Sequence, residues 1–158
     1  MKLYIMRHGP AEDVATSGRD GDRALSTMGR DRVRAVAKLL RERDEAPRAI
    51  VSSPLVRALQ TAEIVASELS VAHVEIAHEL APGGNGDALV KAFLRDDRRR
   101  PMVVGHEPDL STLVGMLLDA PFAHEMLKAM VVSLQMKTDE ETKLRFVLDP
   151  KTLRIESV

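Results

Sequence analysis

The chain contains no cysteine, and only 3% of its residues are aromatic. The first absence excludes disulfides, thiolate metal sites and a cysteine nucleophile, and it fits a reducing compartment. The second argues against the base-stacking platforms that hold single-stranded nucleic acid. With a formal net charge of −1 there is no global bias toward nucleic acid or an anionic membrane surface either. No apolar run approaches the ~20 residues that span a bilayer. The N-terminus reads as a working strand and lacks the apolar segment and cleavage site of a secretory signal. The expectation is a cytoplasmic monomer with no membrane or nucleic-acid partner. Internal repeats, low-complexity tracts and domain boundaries are also missing, so residues 1–158 read as one domain. That length suffices for a sheet covered by helices on both faces.

What is present is organised around Lys2-Leu3-Tyr4-Ile5-Met6-Arg7-His8-Gly9. Leu3 to Met6 form a short apolar run, which predicts a strand buried on both faces. Arg7 and His8 then stand at the C-terminal edge, where open α/β sheets bind ligands. Arg7 offers a planar fork of donors suited to phosphate or carboxylate. His8 offers a ring nitrogen able to act as nucleophile or proton carrier. Gly9, without a Cβ, allows a sharp turn and close approach to a ligand.

The same pattern of an apolar run ending in polar groups recurs twice. Ala49-Ile50-Val51 stops at Ser52-Ser53-Pro54, and a helix with Leu55, Leu59, Ala62, Ala66 and Leu69 on its buried face follows. Ser53 reads as its N-cap and Pro54 as part of its first turn. Arg57 falls in that first turn, with Thr61 four residues on along the same side. Met102-Val103-Val104-Gly105 ends in His106-Glu107-Pro108 and leads into a helix carrying Leu110, Leu113, Val114 and Leu117. Ser26 predicts the start of another helix, from about 27 to 43, with Val33, Val36, Ala37 and Leu40 inward. Its arginines alternate with acids and read as a solvated face. Residues 10–22 read as an exposed loop, either one wall of the site or a plain connector.

Val74–Ile76 is a weak strand candidate, and Asp87 is positioned to cap a helix bearing Leu89, Val90, Phe93 and Leu94. The mixed-charge stretch 95–100 reads as a solvated turn, and 120–128 as loop with helical turns. Val131–Met136 and Leu144–Leu148 predict a hairpin at the sheet edge. The fold expected is a three-layer α/β/α sandwich with a mostly parallel central sheet and an antiparallel edge.

Three strand ends thus bring Arg7 with His8, Arg57 and His106 toward one crevice. Such a set describes an anion pocket with a nitrogen nucleophile inside it. The motifs Arg7-His8-Gly9, Leu25-Ser26-Thr27-Met28-Gly29, Ser53-Pro54-Leu55-Val56-Arg57-Ala58-Leu59-Gln60-Thr61-Ala62 and Val104-Gly105-His106-Glu107-Pro108, in this order, resemble the histidine phosphatase superfamily, also called phosphoglycerate-mutase-like. The resemblance covers most of the chain to about residue 118, and the compact length is most like the SixA-type phosphohistidine phosphatases. It implies that His8 is the catalytic nucleophile, that Arg7, Arg57 and His106 hold the phosphoryl oxygens, and that no metal or other cofactor is required. Larger relatives place an acid near the position of Glu79, whose surroundings here do not match their motif. The implied substrate is phosphohistidine on a signalling or phosphocarrier protein. The alternatives are a broad small-molecule phosphomonoesterase of the same fold and a phosphate-binding module without catalysis.

Overall fold

A computed structural model describes residues 1–157. Strands β1 (Lys2–Arg7), β2 (Ala49–Ser52), β3 (Val74–Ile76) and β4 (Pro101–Gly105) are parallel neighbours in the order β3-β2-β4-β1. Strands β5 (Val131–Gln135), β6 (Lys143–Asp149) and β7 (Arg154–Ser157) extend the same sheet beyond β1, each antiparallel to the one before. The antiparallel part is therefore nearly half of the sheet, larger than the edge expected. β7 was not expected at all. Its sequence Arg-Ile-Glu-Ser has one apolar residue and no alternation, and it forms because β6 offers a free edge to pair with.

Helices α1 (Thr27–Glu42) and α2 (Val56–Leu69) cover one face, and α3 (Gly86–Arg95) and α4 (Asp109–Leu118) the other. Alternation along the strands divides the core accordingly. Tyr4, Met6, Ile50, Met102 and Val104 meet Val33, Val36, Leu40, Ala58 and Val65. Leu3, Ile5, Val51 and Val103 meet Val90, Phe93, Leu110, Leu113 and Val114. Burying an aliphatic side chain contributes roughly 1.5–3 kcal/mol. A capping bond contributes about 1 kcal/mol. The Ser26 Oγ that accepts from Gly29 N at 2.9 Å thus fixes where α1 begins, while packing decides that it forms.

Three local expectations are corrected. The N-cap of α2 is Leu55, so Ser53 and Pro54 precede the helix; Ser53 Oγ accepts from Leu55 N at 3.2 Å. The cap of α3 is Asn85, accepting from Ala88 N at 3.0 Å, while Asp87 pairs with Lys91 at 2.7 Å. Residues 120–128 contain no helical turn. The 95–100 stretch is also less solvated than expected. Arg98 pairs with Glu75 and lies over the Phe93 ring, and Arg100 donates to Tyr4 Oη at 3.1 Å. Tyr4 Oη in turn donates to Glu45 at 2.7 Å, and Arg145 grips the same carboxylate through both terminal nitrogens at 2.6 and 3.0 Å. No helix among the described residues is long and apolar enough to cross a membrane.

Candidate active site

Because β4 lies between β2 and β1, the chain segments that leave these three strands emerge side by side. The ladders continue one step past the strand ends. His8 N donates to Gly105 O at 3.1 Å, and Ser53 N donates to Val104 O at 3.0 Å. This register sets His8 next to His106, with ring centroids 5.3 Å apart and planes tilted by 50°. Both rings are buried, as is Arg57. The two histidines singled out by sequence lie side by side, and the charges of Arg7 and Arg57 are near enough to act on both rings.

Gly9 serves packing more than ligand approach. A Cβ there would stand 2.7 Å from Val33 Cγ2, so a side chain would push α1 off the loop. Gly29 is held for the same reason from the other side, since its Cβ would overlap the Pro10 carbonyl oxygen at 1.9 Å. Thr61 then ties the loop to α2: its Oγ1 accepts from Gly9 N at 3.0 Å and donates to Arg57 O at 2.8 Å. The helical spacing of Arg57 and Thr61 thus joins the His8 loop to the arginine through one hydroxyl.

The protonation of His8 follows from its partner. Nδ1 lies 2.7 Å from the Gly9 carbonyl oxygen, which can only accept, so Nδ1 carries the proton. Nε2 is left with a bare lone pair as long as the ring is neutral. Burial keeps it neutral, pushing its pKa down to about 3 with added pressure from the charges of His106, Arg57 and Arg7. His106 is likewise pushed down to about 4, mainly by burial and then by Arg57.

Arg7 donates from Nη1 to Met126 O at 2.8 Å, and Arg57 is held by Asp20, with Nη1 on the carbonyl at 3.1 Å and Nη2 on the carboxylate at 3.2 Å. Asp20 sits in a 3-10 turn of the 10–22 loop, and its bonds to Arg57 bring that loop against the site. Among the described residues, three buried side-chain polar atoms have no hydrogen-bond partner: Arg7 Nε, Arg57 Nε and His106 Nδ1. Leaving a buried polar atom unpaired costs roughly 1–3 kcal/mol. That all three belong to this constellation means the cost is concentrated where an oxyanion could relieve it.

Sequence reasoning missed two residues here. Ser53 was read only as a cap, yet its Oγ lies 2.7 Å from His106 Nε2. Asp20 gave no signal, because an aspartate in a polar loop between two apolar patterns has nothing to mark it. Glu79 is exposed and lines a cavity of about 120 Å³ together with Asn85, Asp87, Asp109 and His106. Asp109 closes that wall by accepting from Gly83 N at 2.8 Å. On the opposite flank an open groove runs along Arg7, Glu107, Phe122, His124 and Glu125. A separate groove of about 310 Å³ between α1 and α2 touches none of the four central residues.

Comparison with known proteins agrees with this geometry. The model of the histidine phosphatase superfamily (branch 1) matches residues 3–88. An uncharacterised protein of Picosynechococcus is 34% identical over 97% of this chain and 99% of its own. The structure of the protein histidine phosphatase SixA complexed with tungstate superposes with a TM-score of 0.89 at 26% identity, covering 98% of this chain and 100% of that one. A mycobacterial glucosyl-3-phosphoglycerate phosphatase shares the fold at a TM-score of 0.70 and 22% identity, over 90% and 96% of the two chains.

Proposed function

Since the chain belongs to the histidine phosphatase superfamily, we propose that it hydrolyses phosphoryl groups through a covalent phosphohistidine on His8, and that its substrate is phosphohistidine carried by a protein. The observation that carries this reading is that the buried side-chain nitrogens without a partner belong to Arg7, Arg57 and His106, the residues whose charges bear on His8 and its bare Nε2. An oxyanion bound among these residues would offer them acceptors. The tungstate bound by the SixA relative is an oxyanion.

In the mechanism His8 Nε2 attacks phosphorus, the P–N bond forms, and the bond to the leaving group breaks with its electron pair. Arg7 and Arg57 neutralise the charge spread over the equatorial oxygens and His106 donates a hydrogen bond to them, which is most of what phosphoryl transfer asks of a protein. Water then attacks the phosphohistidine, releasing inorganic phosphate and neutral His8. Gly9 O stabilises the positive charge that the ring carries while phosphorylated, through its bond to Nδ1–H.

The leaving group separates the two substrate readings. Expelling an alkoxide needs a proton donor, and Glu79, exposed and without a hydrogen-bonding partner to hold it, is a weakly positioned one. A protonated imidazole leaves as a neutral molecule and needs little help. This favours phosphohistidine on a signalling or phosphocarrier protein. The glucosyl-3-phosphoglycerate phosphatase that shares the fold keeps a small-molecule phosphomonoesterase as the second reading. A binding module without catalysis is disfavoured, because a binder has no use for the bare lone pair on His8.

The test incubates the protein with a phosphohistidine-bearing phosphocarrier domain and, separately, with a sugar phosphate, using His8→Ala as control. Loss of phosphate from the first, with none from the control, is expected. Turnover by His8→Ala would remove the nucleophile assignment. A good rate on the sugar phosphate with none on the phosphoprotein would replace the first reading with the second.

A further inference from the structure

His8 and His106 face one another, and their hydrogen-bond partners differ in kind. The carbonyl on His8 can only accept; the hydroxyl of Ser53 on His106 can do either. Counting protons at Ser53 resolves which it does. Its Oγ has one proton and two lone pairs. One lone pair takes the Leu55 N–H at 3.2 Å, and the other neighbour within bonding distance is His106 Nε2 at 2.7 Å. Ser53 is fully buried, so its own proton has nowhere else to go.

Two arrangements are possible for a neutral His106. If Nε2 carried the proton, the Ser53 hydroxyl hydrogen would be buried without an acceptor and His106 Nδ1 would present a lone pair. If Ser53 donates instead, its bonds are complete and the remaining unpaired atom is an Nδ1–H. The first arrangement leaves two unmet groups and the second leaves one. In the second, all three unpaired nitrogens of the site (Arg7 Nε, Arg57 Nε and His106 Nδ1) are donors.

We propose that Ser53 is a positioning residue that fixes His106 as its Nδ1–H tautomer, so that the two histidines are held in opposite forms, His8 as the nucleophile and His106 as a neutral hydrogen-bond donor to the phosphoryl oxygens. This rests on the reading of the pocket as a phosphoryl site for the use made of that N–H, and not for the tautomer itself. Ser52 supports the arrangement from behind, its Oγ donating to Ser53 O at 2.8 Å and fixing the peptide on which Ser53 stands.

The test is imidazole nitrogen NMR on the full chain labelled with ¹⁵N-histidine at neutral pH, where the protonated and bare ring nitrogens have well-separated shifts. His106 is expected to show a protonated Nδ1 and an accepting Nε2, with His8 the reverse. In Ser53→Ala the His106 signals should move toward a mixture of tautomers, and affinity for orthovanadate should fall about tenfold. Ser53→Thr, which keeps the hydroxyl, should restore both. A proton on His106 Nε2 in the unaltered protein overturns the proposal, whether or not the alanine variant folds. So do His106 signals left unmoved in a folded Ser53→Ala. The function reading fails separately: the expected tautomer in a protein that turns over no phosphoryl substrate would leave Ser53's role standing and remove the phosphatase.

Discussion

Asp20 holds the guanidinium of Arg57 through both its carboxylate and its carbonyl, although its own side chain is 68% exposed and that of Arg57 only 8%. Arg57 holds the Asp20 carboxyl below its usual range. An oxyanion entering the pocket meets an arginine whose charge is already partly engaged. Exposed ion pairs contribute little to stability, so the contact matters more for binding than for folding. Asp20→Asn should therefore tighten orthophosphate binding about three- to tenfold, read by titration calorimetry at low salt. A weaker affinity would mean that Asp20 aims Arg57 at the ligand.

Glu79 is expected to matter only when the leaving group is poor. Glu79→Gln should lower kcat on an alkyl phosphate roughly tenfold or more, in line with the loss of a general acid, while leaving an activated aryl phosphate and a phosphohistidine substrate within about twofold. Equal losses on all three would assign the residue to binding.

Stability should fall as the pH drops below about 6.5, because two buried histidines are held neutral in the folded protein. His8 and His106 titrate at about 3 and about 4 in the folded protein, and both groups titrate near 6.5 in the unfolded chain. Between those values the unfolded state holds more protons, so stability rises with pH in that window. The contribution is complete above about 6.5 and drains away as the pH drops toward 4 and then 3. Urea midpoints measured from pH 7 to pH 4.5 should fall more steeply with acidification for the protein than for His8→Asn/His106→Asn, which lacks both titrations. Parallel profiles would contradict the neutral, buried state of both rings.

The ion pair between Glu45 and Arg145, with side chains 16% and 18% exposed, is built into the structural half of the sheet together with Tyr4 and Arg100. Removing one partner leaves the other half-buried and unmatched, which costs about 2–3 kcal/mol. Glu45→Gln should lower the unfolding free energy by that amount with kcat unchanged. A drop in kcat without loss of stability would tie this network to the site.

Most of the site could be read from the sequence because its residues sit at the ends of apolar runs. Arg7, His8 and His106 end strands made of Leu, Ile, Val and Met, and the abrupt change to charge at each edge is visible without coordinates. Arg57 followed from helical spacing. Ser53 was placed but misunderstood, since a serine before proline at a helix start has an ordinary capping explanation, and its bond to His106 is formed 53 residues away in the chain. Asp20 and β7 were illegible for one reason: each is positioned by a partner already in place, Arg57 in one case and the β6 edge in the other, and carries no pattern of its own. The family resemblance was drawn from the four motifs, and the family model match over residues 3–88 agrees with it.

The strand that supplies His106 is the fourth to be made, yet it lies between the first two. A growing polypeptide therefore carries Arg7, His8 and Arg57 long before anything holds them in register. β4 pairs with both β1 and β2, so these residues share one edge only once it is in place. An anion that bound only this paired arrangement would favour the folded chain by mass action.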